Sequence, residues 1–247
     1  MTTAIAFPDG GYRHVPGVFQ YSAGVAAQPG FAIERARFSR VVPLDQGFAR
    51  IEAYLKGIGR PLTAFCACEL RSPAPFTEQG FAEFNRIYVG TLERWGVMRD
   101  GVNPVARSNV CPEIAPPVAP GFYAFSYTVA TAGGGFVIAG SGEAAEGHKD
   151  YRSVTVRAGE TTADAILEKA RWVLDEQERR MAVLGAGWRD VTDTHVYTVH
   201  DIHPFLGSEL VRRGAAAGGI TWQYCRPPVA GLEYEMDCRC VRREIVI

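Results

Sequence analysis

The strongest constraint on this chain is that one pattern of elements runs through it twice. The first pass holds strand-like VFQYSAGVA (18–26), helix-like LDQGFARIEAYLKGIG (44–59) and strand-like LTAFCACEL (62–70). A Pro-Phe pair (75–76), amphipathic FAEFNRIYVGTLERWG (81–96), the stretch NPVARSNVCP (103–112) and a closing strand GFYAFSYTVA (121–130) complete it. The second pass repeats the order: FVIAGSGEA (136–144), TTADAILEKARWVLDEQERRMAVLG (161–185), VTDTHVYTVHDI (191–202), Pro204-Phe205, LGSELVRRGA (206–215), ITWQYC (220–225) and GLEYEMDCRCV (231–241). Each pass reads β-α-β-α-β-β, a repeat that points to a duplicated supersecondary unit. The expected class is α+β, with two tandem units over residues 1–131 and 132–247 and TAGGG (131–135) as a short joint. In 163–185, Ala163, Ile166, Ala170, Val173, Leu174, Met181 and Leu184 keep helical spacing, and Thr161 or Thr162 offers a cap. The second copy uses fewer residues between its Pro-Phe pair and Gly219 than the first uses to reach Arg107, so its second helix is shortened.

Arg107 is the residue that most demands an explanation. It sits among Pro-Val-Ala and Ser-Asn-Val-Cys, where a buried strand is expected. A guanidinium inside apolar surroundings is costly without an anion, and its planar fork meets a carboxylate in bidentate fashion. Its placement therefore predicts either a bound small acid or a structural ion pair, for which Glu113 is the candidate. The second copy, GGITWQYCRPP (218–228), has glycine at the equivalent point.

Composition narrows the function classes. The formal net charge is −1, with no dominant basic cluster, which argues against nucleic acid held by phosphate contacts. No apolar run reaches the length of a membrane span, and MTTAIAFPDGGYRH lacks the form of a signal peptide. A cytoplasmic protein with six reduced cysteines is expected. Schiff-base chemistry is confined to Lys56, Lys149 and Lys169. Cys66 with Cys68, and Cys238 with Cys240, fit small buried hydrophobes better than a zinc site; His200 and His203 lack a third ligand nearby. No metal and no cofactor is expected. GSGEAAEG (140–147) with His148 reads as a loop at a pocket mouth, since its spacing does not match a dinucleotide fingerprint.

The element order, V-x-x-x-x-V-Y on the third strand, F-N-x-x-Y on the second helix and A-R-S-x-V before the final strand resemble the RidA family, also called YjgF, YER057c or UK114. The resemblance implies chorismate-mutase-like units whose sheets pack into a barrel-like core, helices outside, with a homotrimer favoured. It implies hydrolysis of an enamine or imine of a small carboxylic acid to a keto acid and ammonia, in amino-acid or amino-aromatic catabolism. Carried over residue by residue, Tyr12 in GGYRH, Ser22 in QYSAG, Asn85 in EFNRIY and Arg107 match the family's substrate-binding positions. The family's last-strand glutamate is missing from FYAFSY, whereas the second copy supplies Glu233, with Glu235 two residues on. Arg107 and Glu233 are thus the expected catalytic pair, in a site shared between units; a salt bridge of Glu233 to Arg226 or Arg239 is the structural alternative. The second half also resembles the C-terminal half of chorismatases, through Cys225 and Glu233, which implies hydrolysis of an enol ether. Cys111 and Cys225 are expected to line the pockets. A third reading is a small-acid-binding protein that has lost catalysis, because each unit lacks one key residue.

Overall fold

A computed structural model describes residues 2–148 and 150–247. It contains two mixed sheets, ordered β1-β2-β3-β8-β12-β9-β10 and β11-β6-β5-β7-β4-β13. The strands of the first pass are β4 (Ala32–Pro43), β5 (Phe65–Arg71), β6 (Ala106–Pro112) and β7 (Gly121–Val129). Helix α1 (Leu44–Gly57) follows β4 and α2 (Glu78–Arg94) follows β5. In the second pass β8 (Phe136–Gly142), the one-turn α3 (Tyr151–Val154), α4 (Ala163–Val183) and β9 (Asp193–Tyr197) come first. Next come α5 (His203–Phe205) running into a π-helical turn (Leu206–Val211), β10 (Ile220–Gln223) and β12 (Glu235–Cys240). The orders β6-β5-β7-β4 and β10-β9-β12-β8 are the same arrangement, with β5–β6 and β9–β10 the parallel pairs.

One element differs from the sequence expectation. The strand feeding α1 is β4, not 18–26. AIERARFSR carries too many charges to look like an inner strand, but partners satisfy them: Glu34 meets Arg242 and Arg243, and Arg35 meets Glu69 and Glu244. The stretch around 18–26 instead ends in β3 (Gly24–Ala27), which with β1 (Ile5–Phe7) and β2 (Tyr12–Val15) extends the other sheet beside β8. In return β13 (Arg243–Val246) lies parallel to β4, and β11 (Cys225–Arg226) pairs with β6. Each sheet therefore incorporates strands from the opposite half of the chain.

Helices α1 and α2 cover one face of the first sheet with an aromatic core including Phe48, Phe65, Tyr88 and Phe122. Helix α4 covers the second sheet through Ile166, Val173, Leu174 and Met181. Thr77 and Thr162 cap α2 and α4, their hydroxyl oxygens accepting from Gly80 and Ala165 backbone N–H groups. The remaining sheet faces meet each other. Part of that seam is apolar, with Tyr12, Val25, Ile33 and Ala139. The rest is ionic. Glu69 on β5 accepts from Arg35 Nε at 2.6 Å and lies 3.4 Å from Arg239 Nη1 on β12. Arg239 also donates to Asp237 at 2.7 Å, and Ser108 Oγ on β6 donates to Asp237 at 2.6 Å. Burial alone would raise the Glu69 carboxyl, but Arg239 and Arg35 outweigh it and hold it well below the usual carboxylate range.

Removing this anion leaves Arg35 with only exposed Glu244, and Arg239 with Asp237 and Asp193, against their buried charge. Glu69→Ala is expected to destabilise the fold by about 3–5 kcal/mol, read as a shift of the urea midpoint.

Candidate active site

The ionic seam holds β6 against β8 and β12, and where these strands part from α2 a cleft opens. It encloses about 460 Å³ of empty space, part of it open to solvent. Arg107 and Asn109 reach it from β6, Phe81 from α2, Glu235 from β12, and Tyr21 from the segment ahead of β3. Gly140 and Gly142, expected in a loop, line it from the end of β8, and Ala144 and Glu146 from the loop that follows.

Arg107 is 2% exposed. Its Nη2 donates to Asn85 Oδ1 at 2.7 Å, and the rings of Tyr88 and Tyr21 lie 4.8 and 5.2 Å from the guanidinium carbon. Among the described residues it has no carboxylate partner, and its Nη1 makes no hydrogen bond. Glu113, the alternative partner, pairs with Arg226 at 2.8 Å. A buried cation between aromatic faces, with one N–H face unspent, has the chemistry to take an anion.

Glu233 does not join it. Its carboxylate is held by His200 Nε2 at 2.8 Å and Arg226 Nη1 at 3.5 Å, outside the lining of the Arg107 cleft. The structure therefore does not bring Glu233 to Arg107; Glu235, two residues on, lines the cleft instead. Glu233 precedes β12, and its backbone N–H donates to buried Glu143 at 2.7 Å, whereas Glu235 opens the strand and faces the cleft. Glu235 is 3% exposed and forms no ion pair among the described residues. Burial, reinforced by neighbouring Asp237, lifts its carboxyl well above the usual range; Arg71 pulls the other way without prevailing. Gly140 makes room for it, since a Cβ there would collide with Glu235 Oε1 and press on Ser108 Cα.

The other expected site residues divide. Asn85 buttresses Arg107. Ser22 is buried away from the cleft lining, its Oγ donating to Pro104 O at 3.1 Å and its N–H to Val105 O, which ties the N-terminal segment to β6. Tyr12 is fully buried in the apolar seam, with its hydroxyl on Phe65 O at 3.3 Å. Cys111 and Cys225 lie where β6 meets β11. Burial pushes their thiols up to about 12 and about 11, so neither is a ready nucleophile. Lys169 is sequestered, donating to Glu143 at 3.1 Å and to Val156 O at 2.8 Å; Lys149 lies outside the described residues. His203 pairs with Asp201 at the surface.

Sequence reasoning missed Tyr21, Asn109 and Glu146. Asn109 was legible from strand alternation, being two residues from Arg107. Tyr21 donates to Glu146 at 2.8 Å, and Glu146 also meets Arg180 at 2.8 Å. That chain joins residues more than a hundred positions apart and has no local signature.

A model of the 2-aminomuconate deaminase CnbZ family matches residues 4–245. The chain belongs to this family. The 2-amino-5-chloromuconate deaminase of Comamonas testosteroni is 52% identical over 251 residues, with all of both chains covered. Among solved structures, the chain is similar to a chorismatase at TM-score 0.48 and 14% identity, covering 97% of this chain and 86% of that one. It is also similar to the YjgF gene product of E. coli at TM-score 0.31 and 19% identity, covering 44% and 81%. Among the described residues no helix is long and apolar enough to cross a membrane.

Glu235 carries a stability cost that follows from its environment. Folding raises its pKa, so the cost is absent below the ordinary value of 4.5 and grows as pH climbs from there towards the folded-state value. Glu235→Gln removes it. Thermal melts should show the variant gaining on the wild type as pH rises above about 4.5, and no difference below it.

Proposed function

We propose that this protein is a deaminase that hydrolyses the enamine of 2-aminomuconate and its 5-chloro analogue, releasing ammonia in aromatic amine catabolism. The observation that carries this reading is one cleft lined by a buried guanidinium without a carboxylate partner among the described residues and by a buried carboxyl whose pKa burial raises. The first supports recognition of an anionic substrate, and the second supports proton delivery. Kinship with the Comamonas enzyme supplies the substrate class.

Arg107, steadied by Asn85, holds the carboxylate next to the amino-bearing carbon. Glu235 gives its proton to the enamine carbon adjacent to that centre, and the C–N bond becomes an iminium. Water adds to the iminium carbon while the Glu235 carboxylate takes a proton from it. The same proton then passes to nitrogen, and as the carbinolamine collapses to a ketone and ammonia its hydroxyl proton returns to the Glu235 carboxylate. One water enters and one ammonia leaves; Glu235 ends protonated as it began. Such a carboxyl must be neutral at working pH, which is what desolvation achieves.

In this reading the two units, 1–131 and 132–247, complete each other. The first gives the anion receptor, the second gives the acid, and neither needs the residue it lacks. The enol-ether alternative would use the same proton, and chorismate tests it. We also infer a cytoplasmic homotrimer. Exposed Ile114, Val118, Trp222 and Tyr224 are apolar surface for subunit contacts. Light scattering should give the mass of three 26.9 kDa chains.

The central test is turnover. Wild-type protein should release ammonia from 2-aminomuconate and no pyruvate from chorismate. Arg107→Ala should lower kcat/KM by roughly two to three orders of magnitude, and Glu235→Gln should abolish turnover. Activity should fall as pH rises through the elevated pKa of Glu235, because only the protonated form acts. Unimpaired turnover by Glu235→Gln would overturn the mechanism.

A further inference from the structure

The cleft contains a second donor that the reaction above leaves unused. Asn109 stands two residues beyond Arg107 on β6. Both side chains leave the same face of the strand, with Cα atoms about 7 Å apart. Asn109 is 3% exposed and lines the cleft. Its Oδ1 accepts from Ser72 Oγ at 3.0 Å, which fixes the amide, and its Nδ2 has no partner among the described residues. Leaving a buried N–H unsatisfied is unfavourable unless a ligand takes it. Arg107 Nη1 stands in the same condition. Two orphan donors thus share one strand face and one cavity, and Pro228, Val229 and Leu232 give that cavity an apolar wall.

We propose that Asn109 receives the second carboxylate of a linear diacid whose first carboxylate rests on Arg107, so that the cleft selects conjugated six-carbon dicarboxylates over monocarboxylates. The proposal rests on the deaminase reading of the same cleft and adds the residue that measures substrate length and charge. The Cα spacing of the two donors is comparable with the span between the end carbons of such a diacid, and the apolar wall suits the diene between them. The acidic groups in the cleft do not oppose it. Glu146 is held by Arg180 and Tyr21, and Glu235 is kept neutral by burial. An ionised residue at 109 would repel the diacid, whereas an amide serves it without adding a second buried cation.

The test uses trans,trans-muconate and sorbate, which share the six-carbon diene and differ by a methyl in place of one carboxylate. Calorimetric binding to the intact wild-type protein should favour muconate by about tenfold or more, the worth of a hydrogen bond to a charged group. Asn109→Leu should erase that preference, chiefly by weakening muconate. Asn109→Asp should invert it. Arg107→Ala should weaken both ligands together. A muconate-to-sorbate ratio that stays at the wild-type value in Asn109→Leu overturns the proposal, as does a wild type with no preference. If Asn109→Leu fails to fold, the Asp variant alone decides: a retained muconate preference overturns the proposal. Binding requires no turnover, so a wild type that prefers muconate but releases no ammonia would sink the deaminase reading and spare this one.

Discussion

The ionic seam between the two sheets is the interaction on which the rest depends. Glu69 faces Arg35 and Arg239, and Asp237 faces Arg239, Ser108 and Tyr197. Buried ion pairs contribute little net stability, because desolvation offsets their attraction. Their value here is geometric. An apolar seam would let the sheets slide by a fraction of a residue, whereas a network with fixed donors and acceptors accepts one register. That register brings β6 of one half against β8 and β12 of the other, and so sets Arg107 and Glu235 on one cavity.

The cleft then works by contrast. Two ionisable groups sit a few residues from a dense charge network, yet neither is neutralised by it. Arg107 is turned away from the seam, on the α2 face of β6, where aromatic rings and an amide are its neighbours. Burial, reinforced by Asp237 on the same strand face, raises the Glu235 carboxyl. β6 and β12, from the two facing sheets, thus bring a cation without a carboxylate partner among the described residues and a carboxyl of raised pKa to one cleft. Enamine hydrolysis of a carboxylate needs both conditions together.

Much of this was legible in the chain. The doubled β-α-β-α-β-β order, a capping threonine at 161 or 162 and an arginine at 107 buried on a strand are all readable from period and spacing. Other features were not. β4 hid behind Glu34 and Arg35, whose partners lie on β5, on β13 and just ahead of β13 and are invisible to a local window. Which glutamate lines the cleft could not be read, because Glu233 and Glu235 are chemically equal in a string; only the start of β12 and the His200 contact distinguish them. Tyr12 and Ser22 matched a family pattern in order but spend their hydroxyls on backbone carbonyls.

The exchange of border strands has a consequence for biosynthesis. β13 closes the first sheet from a position about two hundred residues downstream of its neighbour β4, and the β1–β3 hairpin waits for β8 before it has a sheet to join. Neither layer can be finished while the other half is still being translated. Contacts of such long sequence separation slow folding, so the emerging polypeptide must carry exposed strand margins until both halves exist. A duplication that might have yielded two independent beads has instead become one mutually dependent folding unit.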